Sequence, residues 1–160
     1  MNVIRTATVG LLVALLSTAM LSAADSGKPD LAGTWKLNVK KSRYGGYPAP
    51  DSRTELIQQN AVEITFETTQ VAQGPTLRAT SNFPLDGREV TNRMQGYPLV
   101  GSAKWRGQTL IIHSQMTAGT SSVEKEDRYV LSKDGKTLTQ TQQVLTGRRV
   151  KMVIVFQKAS

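Results

Sequence analysis

Residues 77–94 read LRATSNFPLDGREVTNRM and predict a β-hairpin. Apolar and polar side chains alternate on both sides of Asp86-Gly87, as they do in strands with one buried face. Asp-Gly is a preferred pair for a two-residue type I′ turn, which needs positive φ at both positions. Such a turn places Ser81 opposite Asn92. The turn and the alternation agree, so they indicate antiparallel strands that share one apolar face.

Three further hairpins follow from the same kind of pattern. Each has a short turn rich in glycine between two alternating segments. The predicted connections are Gly107, Asp134-Gly135 (again type I′) and residues 146–148; they put Trp105 on the face of Leu110, Tyr129 opposite Gln140, and Val144 opposite Val150. The register at Gln59-Asn60 stays ambiguous.

The alternating segments give ten candidate strands, which is an upper count because neighbouring segments can merge or fail to pair. They are predicted near 33–39, 53–59, 61–69, 76–85, 88–94, 101–106, 108–116, 123–132, 136–145 and 149–157. No helix covers their edges, and consecutive hairpins of this number are expected to close on themselves. The predicted fold class is all-β, a single antiparallel up-and-down β-barrel of about 8–10 strands.

Three segments between the predicted strands are expected to be loops. Residues 42–52 are rich in Gly and Pro, residues 95–101 contain Gly96 and Pro98, and residues 117–122 are small and polar. They either frame the mouth of the barrel or are ordinary connections, and the sequence favours neither reading.

The N-terminal segment predicts export. Arg5 precedes an apolar run, and small residues at positions 22–24 suit a signal-peptide cleavage site. The apolar run is too short for a membrane span, which takes about 20 residues. We expect residues 1–24 to be a signal peptide and residues 25–160 to be one barrel domain in a periplasmic or secreted protein. The chain has no Cys, so burial and the hydrogen-bond ladder must stabilise it without disulfides.

The basic composition does not indicate a nucleic-acid-binding protein. The net charge is +8, and the signal contains only one charged residue, Arg5. Lys and Arg are scattered, pairing only at 40–41 and 148–149, and no aromatic platform lies between them. We expect these charges to be a solvated surface.

The inward face combines apolar and polar residues. The predicted core consists of Trp35, Leu37, Val62, Ile64, Phe66, Phe83, Trp105, Leu110, Ile112, Leu131, Leu138, Ile154 and Phe156. The polar side chains on the same face are Ser81, Asn92, Ser114, Asp127, Tyr129, Gln140 and Gln142. Each costs about 1–3 kcal/mol if buried without a partner, so they favour a cavity that holds water or a ligand. Alternatively, Asp127 and Gln142 reach solvent at the rim.

Several segments resemble the calycins, which comprise the lipocalins and the fatty-acid-binding proteins. They are GTWKLN at 33–38, AKW at 103–105 and DRYVLSKDGKTLT at 127–139. The combination is similar to exported bacterial lipocalin-like barrels. The resemblance implies a basic side chain stacked on Trp35, for which Arg149 and Lys151 are candidates. It does not extend to fatty-acid binding, because the last strand lacks the Arg-x-Tyr headgroup clamp and residues 42–52 do not suit a helical lid.

The residues needed for catalysis or metal binding are missing from the pattern. His113 is the only His and is predicted to face outward, which does not suit haem, zinc or a catalytic triad. Glu124, Glu126 and Asp127 alternate faces beside basic neighbours, as in a charge-balanced exposed strand. We expect no cofactor and no enzymatic activity.

Two functions fit these observations. The first is a carrier or binding protein for a small hydrophobic or amphipathic molecule, with Ser81, Asn92, Trp105, Ser114, Tyr129 and Gln140 as ligand-binding residues. The second is an envelope protein-interaction or inhibitor module with a packed interior and residues 42–52 as its inserting loop. They differ in whether the polar inward side chains line a void.

Overall fold

The computed structural model describes residues 27–159, and they form a closed antiparallel barrel of ten strands. The strands are β1 (Gly33–Leu37), β2 (Ser52–Gln59), β3 (Glu63–Val71), β4 (Thr76–Pro84), β5 (Val90–Met94), β6 (Tyr97–Arg106), β7 (Thr109–Ala118), β8 (Ser121–Leu131), β9 (Thr137–Val144) and β10 (Lys151–Lys158). Each strand pairs with the next, and β1 also pairs with β10 to close the ring. The all-β barrel prediction is confirmed. The predicted signal peptide lies outside the described residues.

The predicted registers of four hairpins agree with the structure. Tyr129 lies opposite Gln140, Trp105 opposite Leu110, and the Val144 amide donates to the Val150 carbonyl oxygen. In the β4–β5 hairpin the paired residues are Thr80 and Arg93, which is the register that puts Ser81 opposite Asn92.

The predicted turn types are wrong at both Asp-Gly pairs. Only the glycines, Gly87 and Gly135, have positive φ. Asp134 instead accepts hydrogen bonds from the Ser132 hydroxyl at 2.6 Å and the Lys136 amide at 3.1 Å. An Asp side chain that organises its own turn in this way has no need of the left-handed conformation.

A positive-φ pair lies at Gln95-Gly96, with φ of 51° and 84°, the pattern of a type I′ turn between β5 and β6, and another lies at Gln73-Gly74 between β3 and β4. The predicted loop 95–101 is therefore wrong, because β6 begins at Tyr97. The predicted loop 117–122 is also wrong, because β7 and β8 extend to Ala118 and from Ser121.

The long connection between β1 and β2 is confirmed as a largely irregular loop. It begins with one 3₁₀ turn, Val39–Lys41, and then folds against β10. Arg43 exchanges two backbone hydrogen bonds with Val153, at 2.7 and 2.8 Å. Gly45 allows this close approach, because a Cβ there would overlap Val150 and lie 2.8 Å from the Lys151 carbonyl oxygen. The loop thus covers part of the barrel end at which β1 finishes and β2 begins.

The core lies in the barrel interior. Its buried apolar residues are Leu31, Trp35, Ile57, Ile64, Phe66, Phe83, Ala103, Leu110, Ile112, Tyr129, Leu138, Ile154 and Phe156. Most of the predicted core residues are buried or packed against this cluster. Val62 is the exception, since it precedes β3 in a turn and is 70% exposed.

Candidate functional site

A buried ion pair on β2 forms one wall of the barrel interior. The Arg53 Nε donates to Glu55 Oε1 at 2.6 Å, and Glu55 Oε2 accepts from the Thr68 hydroxyl at 2.7 Å. The Glu55 side chain is 1% exposed and that of Arg53 is 16% exposed. Burial is the largest single effect and lowers the pKa of Arg53, but the charge and hydrogen bond of Glu55, together with Tyr129 and Asp127, outweigh it, and the net pKa is raised. Arg53 is therefore a fixed positive charge whose closest carboxylate is already engaged.

A second charged group lies on β8 and β9. Asp127 Oδ1 accepts from Gln140 Nε2 at 2.8 Å and from Gln142 Nε2 at 2.9 Å. Its Oδ2 atom lies 3.1 Å from Lys125 Nζ. The Asp127 side chain is 5% exposed, so the prediction that it belongs to an exposed strand, or reaches solvent at the rim, is wrong. Its three partners offset the cost of burying the carboxylate.

Two polar atoms in this interior have no partner. Ser114 Oγ and Gln140 Oε1 are both buried and make no hydrogen bond within the described part of the chain. Because the Gln140 NH₂ group must face the Asp127 carboxylate, its oxygen is the atom left free. Each such group costs about 1–3 kcal/mol unless water or a ligand satisfies it.

Tyr129 lies beside these atoms. Its ring contacts Phe66 with 5.1 Å between centroids. Burial, followed by the negative charges of Asp127 and Glu55, raises the pKa of Tyr129 well above its ordinary value of 10.0. The side chain is therefore a neutral phenol, able to donate a hydrogen bond, at all physiological pH values.

These groups surround a cavity of about 60 Å³ inside the barrel. It is lined by Arg53, Glu55, Phe66, Thr68, Ser81, Phe83, Met94, Leu99, Ile112, Ser114, Lys125, Asp127, Tyr129 and Gln140. We call it the inner cavity. It is polar and has room for a few water molecules or one small functional group.

A second space, which we call the mouth, lies under the β1–β2 loop and has a volume of about 170 Å³. Its walls are Leu37, Tyr44, Tyr47, Pro48, Pro50, Arg53, Gln70, Gln142, Met152 and Ile154. Arg53 lines both spaces and so lies between them. The buried Tyr44 hydroxyl also makes no hydrogen bond among the described residues. The arrangement is an entrance lined by both apolar and polar side chains that leads to a charged, polar interior.

The predicted site residues divide into two groups. Ser81, Ser114, Tyr129 and Gln140 line the inner cavity, whereas Trp105 and Asn92 do not. Trp105 is partly buried and packs against the core instead. The binding role of the four cavity residues stays a prediction.

Asn92 joins two strands rather than facing the cavity. Its Oδ1 accepts from the Asn82 amide at 2.8 Å, and its Nδ2 donates to the Asn82 carbonyl at 3.0 Å. Because β4 and β5 share only the Thr80–Arg93 pair, this side chain takes the place of missing ladder hydrogen bonds.

Sequence reasoning missed Arg53 and Glu55. Leu56 and Ile57 are adjacent apolar residues, so the alternation within β2 does not show which face of the strand points inward. The ambiguous register at Gln59 removes the other way of assigning that face. Ile57 could have identified the inward face of β2, because it pairs with Phe66, which points inward. Glu55 lies two residues from Ile57 and therefore on the same face of the strand.

Trp35 closes the opposite end of the barrel. It is fully buried, and its indole Nε1 donates to the Leu31 carbonyl oxygen at 2.8 Å. The cation above its ring is Lys158, whose Nζ lies 5.3 Å from the ring centroid. The expectation of Arg149 or Lys151 is wrong, because β10 pairs with β1 near its own C-terminal end.

His113 faces outward, as predicted, and its Nε2 lies 3.2 Å from Glu126 Oε2. Within residues 27–159 there is no cluster of three His, Cys, Asp or Glu side chains able to hold a metal ion. In the same range no helix is long and apolar enough to cross a membrane.

Comparisons with known proteins support the fold. The sequence matches no family model and no curated protein. Among solved structures it is similar to the wild-type fluorescent protein UnaG, with a TM-score of 0.57, 19% identity, and coverage of 81% of this chain and 97% of that one. It is also similar to the REP1-NXSQ fatty acid transporter, with a TM-score of 0.56, 14% identity, and coverage of 81% and 96%.

A third similar structure is the zebrafish ileal bile acid-binding protein complexed with cholic acid. The TM-score is 0.55, with 17% identity and coverage of 80% of this chain and 98% of that one. The closed ten-stranded meander and these similarities show that the chain has a calycin-type, lipocalin-like barrel fold.

Proposed function

We propose that this chain is an exported binding protein for one small amphipathic molecule, which lies in the mouth and extends its polar end into the inner cavity. The observation that carries the proposal is the pair of buried, unpartnered atoms Ser114 Oγ and Gln140 Oε1. In a packed core such atoms would only destabilise the fold, whereas in a binding site they can form hydrogen bonds with the ligand. Export rests on the signal-like residues 1–24.

The shape and chemistry of the two spaces support this role. Met152, Ile154 and Leu37 offer apolar contacts in the mouth, and the inner cavity offers polar ones. Both volumes are below the range of about 300–1,000 Å³ that is common for ligand pockets. We therefore expect a ligand with one short apolar chain. The solved structures of similar fold, which include a fatty acid transporter and a bile acid-binding protein, agree with binding rather than catalysis.

Native mass spectrometry of the protein purified from the organism that makes it tests this role. We expect a 1:1 mass excess that disappears on denaturation, and a denatured mass that starts at Asp25. Met152→Trp fills the mouth and should abolish the excess. Lys151→Trp is the matched control, since Lys151 precedes it on β10 and is exposed. An apo mass for the wild type and the Lys151→Trp variant would contradict the proposal.

The second candidate is an interaction module, favoured by the small inner cavity and by an exposed basic surface. Arg148, Arg149 and Lys151 lie beside the β1–β2 loop, which contributes Lys40 and Lys41. None of these five residues forms an ion pair within residues 27–159. Such a surface suits an acidic protein partner. Replacing Arg148 and Arg149 by Ser should then weaken partner capture, and the native mass of the wild type should show no ligand.

A further inference from the structure

The charges inside the barrel are arranged in closed pairs. Arg53 is engaged by Glu55, and Lys125 by Asp127. The remaining oxygen of Glu55 is occupied by Thr68. Two cations and two carboxylates therefore balance, and among the described residues that line the cavity no cation is left without a carboxylate. An anionic group that entered the cavity would approach Glu55 and Asp127 without gaining a free positive partner.

The groups that remain available are neutral. Gln140 Oε1 can only accept a hydrogen bond, Ser114 Oγ can donate or accept, and Tyr129 is held as a phenol. A partner for Gln140 Oε1 must carry an N–H or O–H. A carboxylate lacks this hydrogen and would leave the Gln140 oxygen unsatisfied, with two acceptors facing each other.

We propose that the inner cavity selects a neutral hydrogen-bond donor, such as an alcohol hydroxyl, and rejects the carboxylate of a matching acid. This inference rests on the proposed function. It names the chemical class of the polar end of the ligand: a short-chain amphipathic alcohol or primary amide. Gln140 accepts from that group, and Ser114 completes the contact.

Calorimetric titration of the protein with 1-octanol and with octanoate at neutral pH tests the preference. The two probes share their chain length and differ in the polar end. 1-Octanol can donate one hydrogen bond to Gln140, whereas octanoate cannot and would also approach two buried carboxylates. We therefore expect 1-octanol to bind about tenfold more tightly than octanoate. Tighter binding of octanoate would overturn the inference and leave the proposed binding role intact. Failure of both probes to bind, together with an apo native mass, would overturn both.

Two variants test the cause of the preference. Glu55→Gln removes the carboxylate that engages Arg53, so octanoate should gain about tenfold in affinity while 1-octanol changes little. Gln140→Leu removes the acceptor and should weaken 1-octanol by about tenfold. Because Gln140→Leu also removes a hydrogen bond to Asp127, thermal unfolding checks the folding of both variants, and the wild-type comparison of the two probes still decides the preference if either variant fails to fold. Gln143→Leu, on the exposed face of β9, is the matched control. Unchanged octanol affinity in Gln140→Leu would overturn the assignment to Gln140.

Discussion

At the scale of single residues, the interior depends on side chains that are polar but mutually satisfied. Glu55 and Asp127 are buried carboxylates, and each keeps both oxygens partnered. Removing one partner of such a group leaves an uncompensated charge, which costs far more than the pair contributes. Tyr129 lies among these charges, so the pKa of its hydroxyl depends on them.

Tyr129 predicts a specific loss of stability at alkaline pH. Its folded-state pKa is raised, first by burial and then by Asp127 and Glu55. Above about pH 10 the unfolded chain loses the Tyr129 proton while the folded chain keeps it. The free energy of unfolding should therefore fall with rising pH, by at most about 1.4 kcal/mol per pH unit from this group.

Urea unfolding of the wild type and of Tyr129→Phe between pH 8 and 11.5 measures this effect. The variant should show a shallower decline above pH 10, because it has no phenol to titrate. Tyr47→Phe, at an exposed ring, is the matched control. Parallel curves for the wild type and Tyr129→Phe would show that the Tyr129 pKa is not raised.

At the scale of the strands, the weakest pairing of the barrel is between β4 and β5. These strands share one residue pair, and the Asn92 side chain supplies two hydrogen bonds to the Asn82 backbone. Asn92→Ala should lower the free energy of unfolding by about 1–2 kcal/mol, since net contributions of about 0.5–1.5 kcal/mol per hydrogen bond are usual.

Hydrogen exchange gives the local readout for this variant. The Asn82 amide should lose protection in Asn92→Ala, whereas Thr91→Ala, at an exposed neighbour, should change stability by about 0.5 kcal/mol or less. Unchanged protection of the Asn82 amide would mean that Asn92 does not close this part of the barrel.

The sequence predicts most strands and registers because apolar alternation and glycine turns act locally. The turn types are harder to predict from the sequence. The Asp134 carboxylate accepts hydrogen bonds from Ser132 and Lys136, so Asp134 keeps a negative φ, whereas Gln95 and Gly96 both have positive φ. Asn92 was predicted on the inward face, but its side chain bonds to the Asn82 backbone where β4 and β5 separate, and no local sequence pattern reveals that separation.

At the scale of the whole molecule, the closed barrel brings together groups far apart in the chain. Arg53 and Glu55 from β2 meet Tyr129 and Gln140 from β8 and β9 in one cavity. The sequence predicts the β7–β9 part of this site, because those hairpins have clear registers. The sequence does not reveal that the Arg53–Glu55 pair on β2 lies across the barrel from Lys125 and Asp127 on β8, so that the buried charges balance.

The central claim is that a small amphipathic molecule enters this interior. Two-dimensional NMR of the labelled protein during titration with 1-octanol tests it most directly. We expect saturable shifts in the Gln140 side-chain amide, the Tyr129 ring and the Ile112 methyl groups, while the exposed Val130 methyl groups stay unchanged. Shifts confined to outward-facing residues such as Val130, with the cavity residues unaffected, would contradict it.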